Sequence, residues 1–325
     1  MADMGDPVFI CGLNRTGTSL LLALLDGHTQ LVVAPDETHF FLYFLPQSKR
    51  LPWKKKLELA RTILLEVMDA NNAYYQNFLS HISVEQTLMS FNQLVKSVHD
   101  PFSLLPIAIH SYGIASNKIS PAIRYWVEKT PGNEFFSRSI YNHWPQAKCL
   151  HLVRDPRDVY ASNKLRAQRK GAKVPSKFII ALEWLLSVSK GIRNRKRFGA
   201  QNYQLIKYES LVREPKITIK RVIQFLDIDD QPILYYPTKG GGETSWKGNS
   251  VDQKFDEISS SVVGRWEDVL NQKEIAAIES VTGDRMGEFA YLITAPVSPV
   301  ASLLSKASFL LYRLWKKDLV TISSP

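Results

Sequence analysis

The sequence predicts an α/β fold, a three-layer sandwich in which a central parallel sheet is flanked by helices. Three observations predict it. Short β-favouring apolar runs recur, helical segments separate most of them, and a glycine loop joins the first run to the first helix. The first strand is Val8-Phe9-Ile10-Cys11, and the loop Gly12–Gly17 follows it. Thr18–Leu25 has helix-forming composition and is stopped by Asp26-Gly27. A second strand is expected at Leu31–Val33, closed by Ala34-Pro35. Residues 54–115 place apolar side chains three and four apart and read as a largely helical insertion. Further strands are expected at Tyr125–Val127, Cys149–Val153 and Gln204–Ile206, with helices at Lys177–Lys190 and Ile217–Phe225. Residues 238–264 are rich in Gly, Ser, Thr and Asn, contain Gly240-Gly241-Gly242, and read as a mobile loop. A helical end is expected over Arg265–Val281. With no internal repeat or low-complexity tract, residues 1–295 read as one domain. The tail, 296–325, is apolar with Lys306, Arg313, Lys316 and Lys317, and reads as a helix. Docking on the chain's own core is expected of it, with peripheral contact to a membrane surface as its other use.

Composition excludes several classes. At 45% hydrophobic and 22% charged residues, the chain is neither disordered nor fibrous. Its two cysteines, Cys11 and Cys149, sit in apolar runs and read as buried thiols, so a cytoplasmic, reducing setting is expected. No basic region followed by an apolar core opens the sequence, and no apolar run reaches about 18 residues, so neither a signal peptide nor a spanning helix is expected. Charge is uneven. Between Arg154 and Arg197, thirteen Lys and Arg face three acids (Asp155, Asp158, Glu183), so this segment carries the whole formal excess of +10. An anionic partner is implied: a phosphorylated small molecule, a membrane surface or nucleic acid.

Two motifs narrow that choice. Gly12-x-x-x-x-Gly17, after a strand and before a helix, has the spacing of a phosphate cradle, with inward backbone N–H groups and a helix N-terminus. A nucleotide triphosphatase would continue with Gly-Lys-Ser/Thr; here Gly17-Thr18-Ser19 lacks the lysine and Arg15 stands inside the loop. A tight turn that binds nothing is the plain alternative. The basic segment opens with a strand ending at Arg154, then Asp155-Pro156 and a helix presenting Ser162 two turns later. Both motifs would emerge at the carboxyl edge of the sheet, where α/β proteins bind ligands. An arginine and a hydroxyl there suit a second phosphate, and an arginine merely fixing the turn through Asp155 or Asp158 is the competing reading.

Together the two motifs resemble the 3'-phosphoadenosine-5'-phosphosulfate (PAPS)-dependent sulfotransferases, a P-loop-type fold, over most of residues 7–292. The resemblance implies that Arg15-Thr16-Gly17-Thr18-Ser19 holds the 5'-phosphosulfate and that Arg154 and Ser162 hold the 3'-phosphate. Tyr208, in Lys207-Tyr208-Glu209-Ser210-Leu211, matches a tyrosine beside the nucleotide. The branch with Arg-x-Gly-Thr, which includes tyrosylprotein and bacterial-type enzymes, adds Glu37 in Pro35-Asp36-Glu37-Thr38-His39 as catalytic base and Lys129 beside the transferring sulfuryl group. It further adds Arg166, Ser250 in a late loop and Arg265 before Trp266 as nucleotide contacts, with PAP (adenosine 3',5'-bisphosphate) as product. Tyrosylprotein enzymes carry an anchor and disulfides that this chain does not show, so the acceptor does not carry over.

The implied chemistry moves a sulfuryl group from a phosphate oxygen to an acceptor hydroxyl or amine in a near in-line geometry. Charge develops on the bridging oxygen, which calls for Arg15, Lys129 and the loop amides. Glu37 and His39 are both candidate bases; two apart on an extended segment, they would share a face. No metal-ligand spacing appears among the seven histidines and two cysteines, so no metal is required. The insertion's aromatics (Tyr74, Tyr75, Phe78, Phe91, Phe102, Tyr112) are expected to shape a pocket for a small-molecule, carbohydrate, lipid or peptide acceptor. The alternative function is a P-loop nucleotide kinase or nucleotide-binding regulator, against which Thr18 counts. Nucleic-acid binding is disfavoured because the basic charges are interspersed with Leu165, Ile179, Ile180 and Trp184. A catalytically dead binding module is the third rival.

Overall fold

The computed structural model describes residues 4–65, 82–246 and 258–295. Five strands form one all-parallel sheet in the order β2-β3-β1-β4-β5. They are β1 (Asp6–Cys11), β2 (Leu31–Val33), β3 (Tyr125–Lys129), β4 (Lys148–Val153) and β5 (Tyr203–Lys207). In the register Val8 lies opposite Val127 and Lys148, so β1 is central and buried on both faces. Alternation along each strand feeds two separate cores. Phe9, Cys11, Val32, Trp126, Cys149 and Tyr203 face the insertion, whose helices are α3 (Trp53–Leu64), α4 (Val84–Leu94) and α5 (Leu104–Ala115). Val8, Ile10, Val33, Val127, Leu150 and Ile206 face α1 (Thr18–Leu25) and α10 (Pro215–Leu226). Each such aliphatic side chain, removed fully from water, contributes about 1.5–3 kcal/mol. Two cores on one sheet make the three layers that the sequence predicts.

A π-helical turn, Phe40–Phe44, leads into the short α2 (Leu45–Ser48). Its Phe40, Phe41 and Phe44 pack with Phe91 and Phe102 in the first core. Phe91 and Phe102 are therefore core residues, not walls of an acceptor pocket, because they fill the layer between insertion and sheet, and Tyr112 is likewise buried. Tyr74, Tyr75 and Phe78 lie outside the described residues.

After β3 come α6 (Ser137–His143), α7 (Pro156–Arg169), α8 (Lys177–Phe198), α9 (Tyr208–Arg213), the hairpin β6–β7 (Thr238–Lys239, Thr244–Ser245), α11 (Trp266–Val269) and α12 (Gln272–Met286). The larger departures from the expected boundaries each have a physical reason. Strand β3 continues through Glu128 and Lys129, charged yet buried, because every charge there is met by partners described below. Helix α8 runs eight residues past Lys190, through Gly191, where an added Cβ would stand 2.6 Å from the His151 ring. The last helical stretch is broken at Leu270, and Asn271 begins a new helix through a reciprocal cap with Glu274. The glycine-rich segment is, over 238–245, an antiparallel hairpin rather than a mobile loop. The buried Asp26 carboxylate fixes its tip, accepting from the N–H groups of Gly241 (3.1 Å) and Gly242 (2.8 Å) and from the Thr238 hydroxyl (3.2 Å).

Two loops that emerge at the carboxyl edge frame the site. Helix α1 carries the chain from β1 across β3 to β2, whereas β4 lies on the other side of β1. The loops after β1 and β4 therefore part at a topological switch point, where open α/β sheets form their crevice.

Candidate active site

The glycine loop takes its shape from left-handed backbone. Gly12 has φ 129°, Arg15 φ 72° and Gly17 φ 97°. At Gly12 a side chain would meet the Leu152 carbonyl oxygen at 2.7 Å, and its N–H donates to the buried Glu134 carboxylate at 3.1 Å. At Gly17 a Cβ would lie 2.4 Å from the Tyr208 ring, so only glycine lets that ring close on the loop. The Thr16 hydroxyl turns back to donate to the Leu13 carbonyl at 2.6 Å, so its side chain holds the loop's curve. Thr18 and Ser19 open α1 at the rim of the adjoining cavity.

The loop after β4 meets this one directly. Arg15 Nε donates to Ser162 Oγ at 2.9 Å, joining residues assigned to two different phosphates. The Arg154 guanidinium lies 4.4 Å over the Tyr208 ring, donates to the carbonyls of Arg15 (3.3 Å) and Val262 (2.8 Å), and stands 3.6 Å from Asp158. Its buried Nε has no partner among the described residues. Arg15 is pushed down to about 10, first by burial and then by its neighbours Arg166, Arg154 and Arg169. A cavity of about 150 Å³ opens between these groups, lined by Arg15, Ser19, Arg154, Ser162, Tyr208 and Arg265 among others. Four crowded guanidiniums and an unsatisfied buried donor are what a multiply charged anion would relieve.

Sequence reasoning missed the groups that hold this geometry. Arg157 is not part of the cavity: Asp155 (2.7 Å) and Glu279 (2.7 Å) hold it, over the Trp266 ring at 3.9 Å. Lys164 is likewise taken by Glu274 at 2.8 Å. Asp158 accepts from the N–H groups of Gly264 and Trp266 (2.9 and 3.0 Å), which brings Arg265 to the cavity. Glu209 accepts from Asp155 N–H at 2.9 Å and from the Tyr291 hydroxyl at 2.7 Å, fixing the turn that carries Arg154. Its place beside Tyr208 in the Tyr-Glu pair was the available signal. Ser250 and the tail 296–325 lie outside the described residues.

Beyond β2 a second cluster forms. Lys129, 1% exposed at the end of β3, donates from Nζ to Glu37 Oε1 (2.8 Å) and Asp36 Oδ1 (3.3 Å). His39 Nε2 lies 3.8 Å from Glu37 Oε2, so the two candidate bases do share a face. His39 has φ 52°, leaves a buried Nδ1 without a partner among the described residues, and sits 5.0 Å from the exposed ring of Tyr43. Beneath them the buried Glu128 carboxylate accepts from Thr38 (2.8 Å), Thr130 (2.5 Å) and Asn133, pinning the 36–39 segment to β3. Burial raises the Glu128 pKa against those hydrogen bonds. A smaller cavity of about 20 Å³, lined by Asp36, Lys239 and Gly240, shares Ser19 and Trp246 with the larger one. Through Asp36 the carboxylate–lysine cluster thus reaches a cavity that shares two lining residues with the arginine-lined one. Among the described residues, no group of three or more His, Cys, Asp or Glu is placed to hold a metal ion, and no helix is long and apolar enough to cross a membrane.

Fold and site define a P-loop-type α/β protein with an arginine-lined cavity at the sheet's switch point. A model described as the Sulfotransferase family matches residues 7–232, and the chain belongs to that family. It is 25% identical over 273 residues to an uncharacterized protein of Aquifex aeolicus (strain VF5), covering 80% of this chain and 30% of that protein. It is 22% identical over 280 residues to protein-tyrosine sulfotransferase A of Caenorhabditis elegans, covering 84% and 64%. The chain therefore spans less than two thirds of both relatives. The fold is shared with the sulfotransferase domain from the curacin biosynthetic pathway (TM-score 0.52, 18% identity, 89% of this chain and 99% of that one). It is equally shared with the sulfotransferase domain of the Synechococcus PCC 7002 olefin synthase (TM-score 0.52, 19% identity, 94% and 95%).

Proposed function

We propose that the protein transfers a sulfuryl group from PAPS to a hydroxyl (or amine) acceptor, with no metal. The observation that carries this reading is the joining of the two phosphate motifs. Arg15, Ser162 and Arg154 meet around one cavity, and the Glu37–Lys129 pair is linked, through Asp36, to a smaller cavity that shares Ser19 and Trp246 with it. Arg154, Ser162, Arg166 and Arg265 would hold the 3'-phosphate side, with Tyr208 against the nucleotide. The loop from Arg15 to Ser19 would hold the 5'-phosphosulfate through its amides and the start of α1. Lys129 and Arg15 would meet charge developing on the bridging oxygen. Glu37 would take the acceptor's proton, and His39 and Tyr43 would form the acceptor's side of the site.

The kinase reading has less support, since Thr18 occupies the position where a lysine would reach a triphosphate. Two buried free thiols support a reducing, cytoplasmic setting as part of the same proposal. The test is to supply PAPS labelled in its sulfuryl group with a panel of sugar, lipid, phenol, alcohol and peptide acceptors. Label is expected in an organic sulfate or sulfamate. Transfer of the γ-phosphate from ATP–Mg²⁺, with PAPS untouched, would overturn the proposal.

A further inference from the structure

The first turn of α8 supplies more apolar residues than the core takes. Ala181 and Leu182 are buried in the cluster that α7, α8 and α12 share, and Ile180 and Val174 pack at its margin. Phe178 and Ile179 face outward, 49% and 48% exposed. A lone exposed apolar side chain needs no partner. What distinguishes this pair is its setting.

Cations surround it. Arg166, Arg169, Lys170 and Lys173 are exposed on the end of α7 and the loop to α8, and the Lys177 ammonium lies 5.3 Å from the centre of the Phe178 ring. No Asp or Glu occurs in sequence between Asp158 and Glu183. Glu274, which α12 brings to this end of α7, is paired with Lys164 at 2.8 Å. The described chain ends at Ala295, itself buried in the cluster that Val174 and Ile180 border. The sequence beyond it is apolar, with Lys306, Arg313, Lys316 and Lys317 against Asp318. Loop and tail thus carry the same sign of charge, which opposes their covering one another and suits both to one anionic surface.

A lipid bilayer with anionic headgroups answers both features of the patch. Headgroups take the ammonium and guanidinium groups, and the apolar pair enters the boundary with the acyl chains. Nucleic acid would match the charge and stack on Phe178, but it would leave Ile179 in water. We propose that Phe178, Ile179 and the loop from Arg169 to Lys177 form a contact surface for an anionic membrane, touched reversibly and not crossed. Helix α7 carries Ser162 at the arginine-lined cavity and Arg169 at this surface, about 10 Å of helix apart, so the contact brings the cavity near the headgroups.

The experiment is co-sedimentation of the full chain with sucrose-loaded vesicles. Wild type should partition onto phosphatidylcholine vesicles containing about a third phosphatidylglycerol at least about tenfold better than onto phosphatidylcholine alone, and should lose that preference at about 0.5 M salt. Phe178→Ser/Ile179→Ser and Lys170→Glu/Lys173→Glu should each lower partitioning about tenfold, with Tm changed by less than about 2 °C. Either double variant decides the matter if the other fails to fold. Wild type that ignores the anionic vesicles would overturn the inference. Double variants that bind them as wild type does would overturn it too, and would assign the contact to residues 296–325. Tighter binding of duplex RNA than of vesicles, lost in the lysine variant, would overturn it in favour of nucleic acid.

Discussion

Glu37→Gln is expected to lower turnover by about 10²–10⁴-fold, the range that a positioned general base supplies, while PAP affinity changes less than about twofold. The substitution keeps the side chain's shape. Its carbonyl oxygen can still accept from Lys129, which Glu37 meets at 2.8 Å, so the cluster need not collapse. What is lost is the capacity to take a proton. Because Glu37 is assigned no contact to the nucleotide, an intact PAP titration shows that the site has survived. His39→Gln is the control, since the imidazole lies 3.8 Å from the same carboxylate. A loss confined to acceptor KM in His39→Gln fits a residue that contacts the acceptor. Turnover abolished in His39→Gln and retained in Glu37→Gln would reverse the roles.

Arg154→Ala has the next largest expected effect, on binding rather than chemistry. Arg154 stacks on Tyr208, ties the Arg15 and Val262 carbonyls together and has a buried Nε with no partner among the described residues. Charge-assisted hydrogen bonds to a phosphate contribute about 1.5–3 kcal/mol each, so KM for PAPS and Kd for PAP should rise about 10²-fold. At saturating PAPS, kcat should fall less than about tenfold. Removing Arg154 also takes the facing cation from Asp158, which then keeps the two backbone donors among the described residues, so the free protein should melt at lower temperature. Arg154→Lys keeps the charge but not the planar stack, and should recover only part of the affinity. A collapse of kcat with KM unchanged would move Arg154 into the chemical step.

Much of the scaffold was legible because its strands are short apolar runs between helices, and all five expected strands are present. The loop after β1 and the Arg154–Ser162 turn were readable because their shape depends on local spacing. What escaped depends on partners far away in sequence. Strand β3 could not be extended from sequence into Glu128 and Lys129, since their burial is offset by Thr38, Asp36 and Glu37, some ninety residues earlier. The basic segment misled in the same way. Arg157 and Lys164 look like their neighbours in sequence, yet Glu279 and Glu274 on α12 take them out of the cavity. Arg169, which no motif singled out, is one of the charges that depress Arg15. The triglycine tip looked mobile because its anchor, Asp26, lies more than two hundred residues before it. Two assignments stand as geometry alone: Arg265 at the cavity, and Thr16 holding the loop with its side chain.

The concentration of positive charge now has a structural division. Some cations brace the α7–α12 contact, and Arg154, Arg166 and Arg169 bear on Arg15 at the cavity. The central claim is that these guanidinium groups recognise a nucleotide bisphosphate. The most direct measurement is thermal unfolding with saturating PAP, ATP–Mg²⁺ or duplex RNA. At about a hundred times its Kd, PAP should stabilise the fold by about 2.7 kcal/mol, a rise in Tm of roughly 5 °C, with little shift from the other two. A larger rise with ATP–Mg²⁺ or with RNA than with PAP would contradict it.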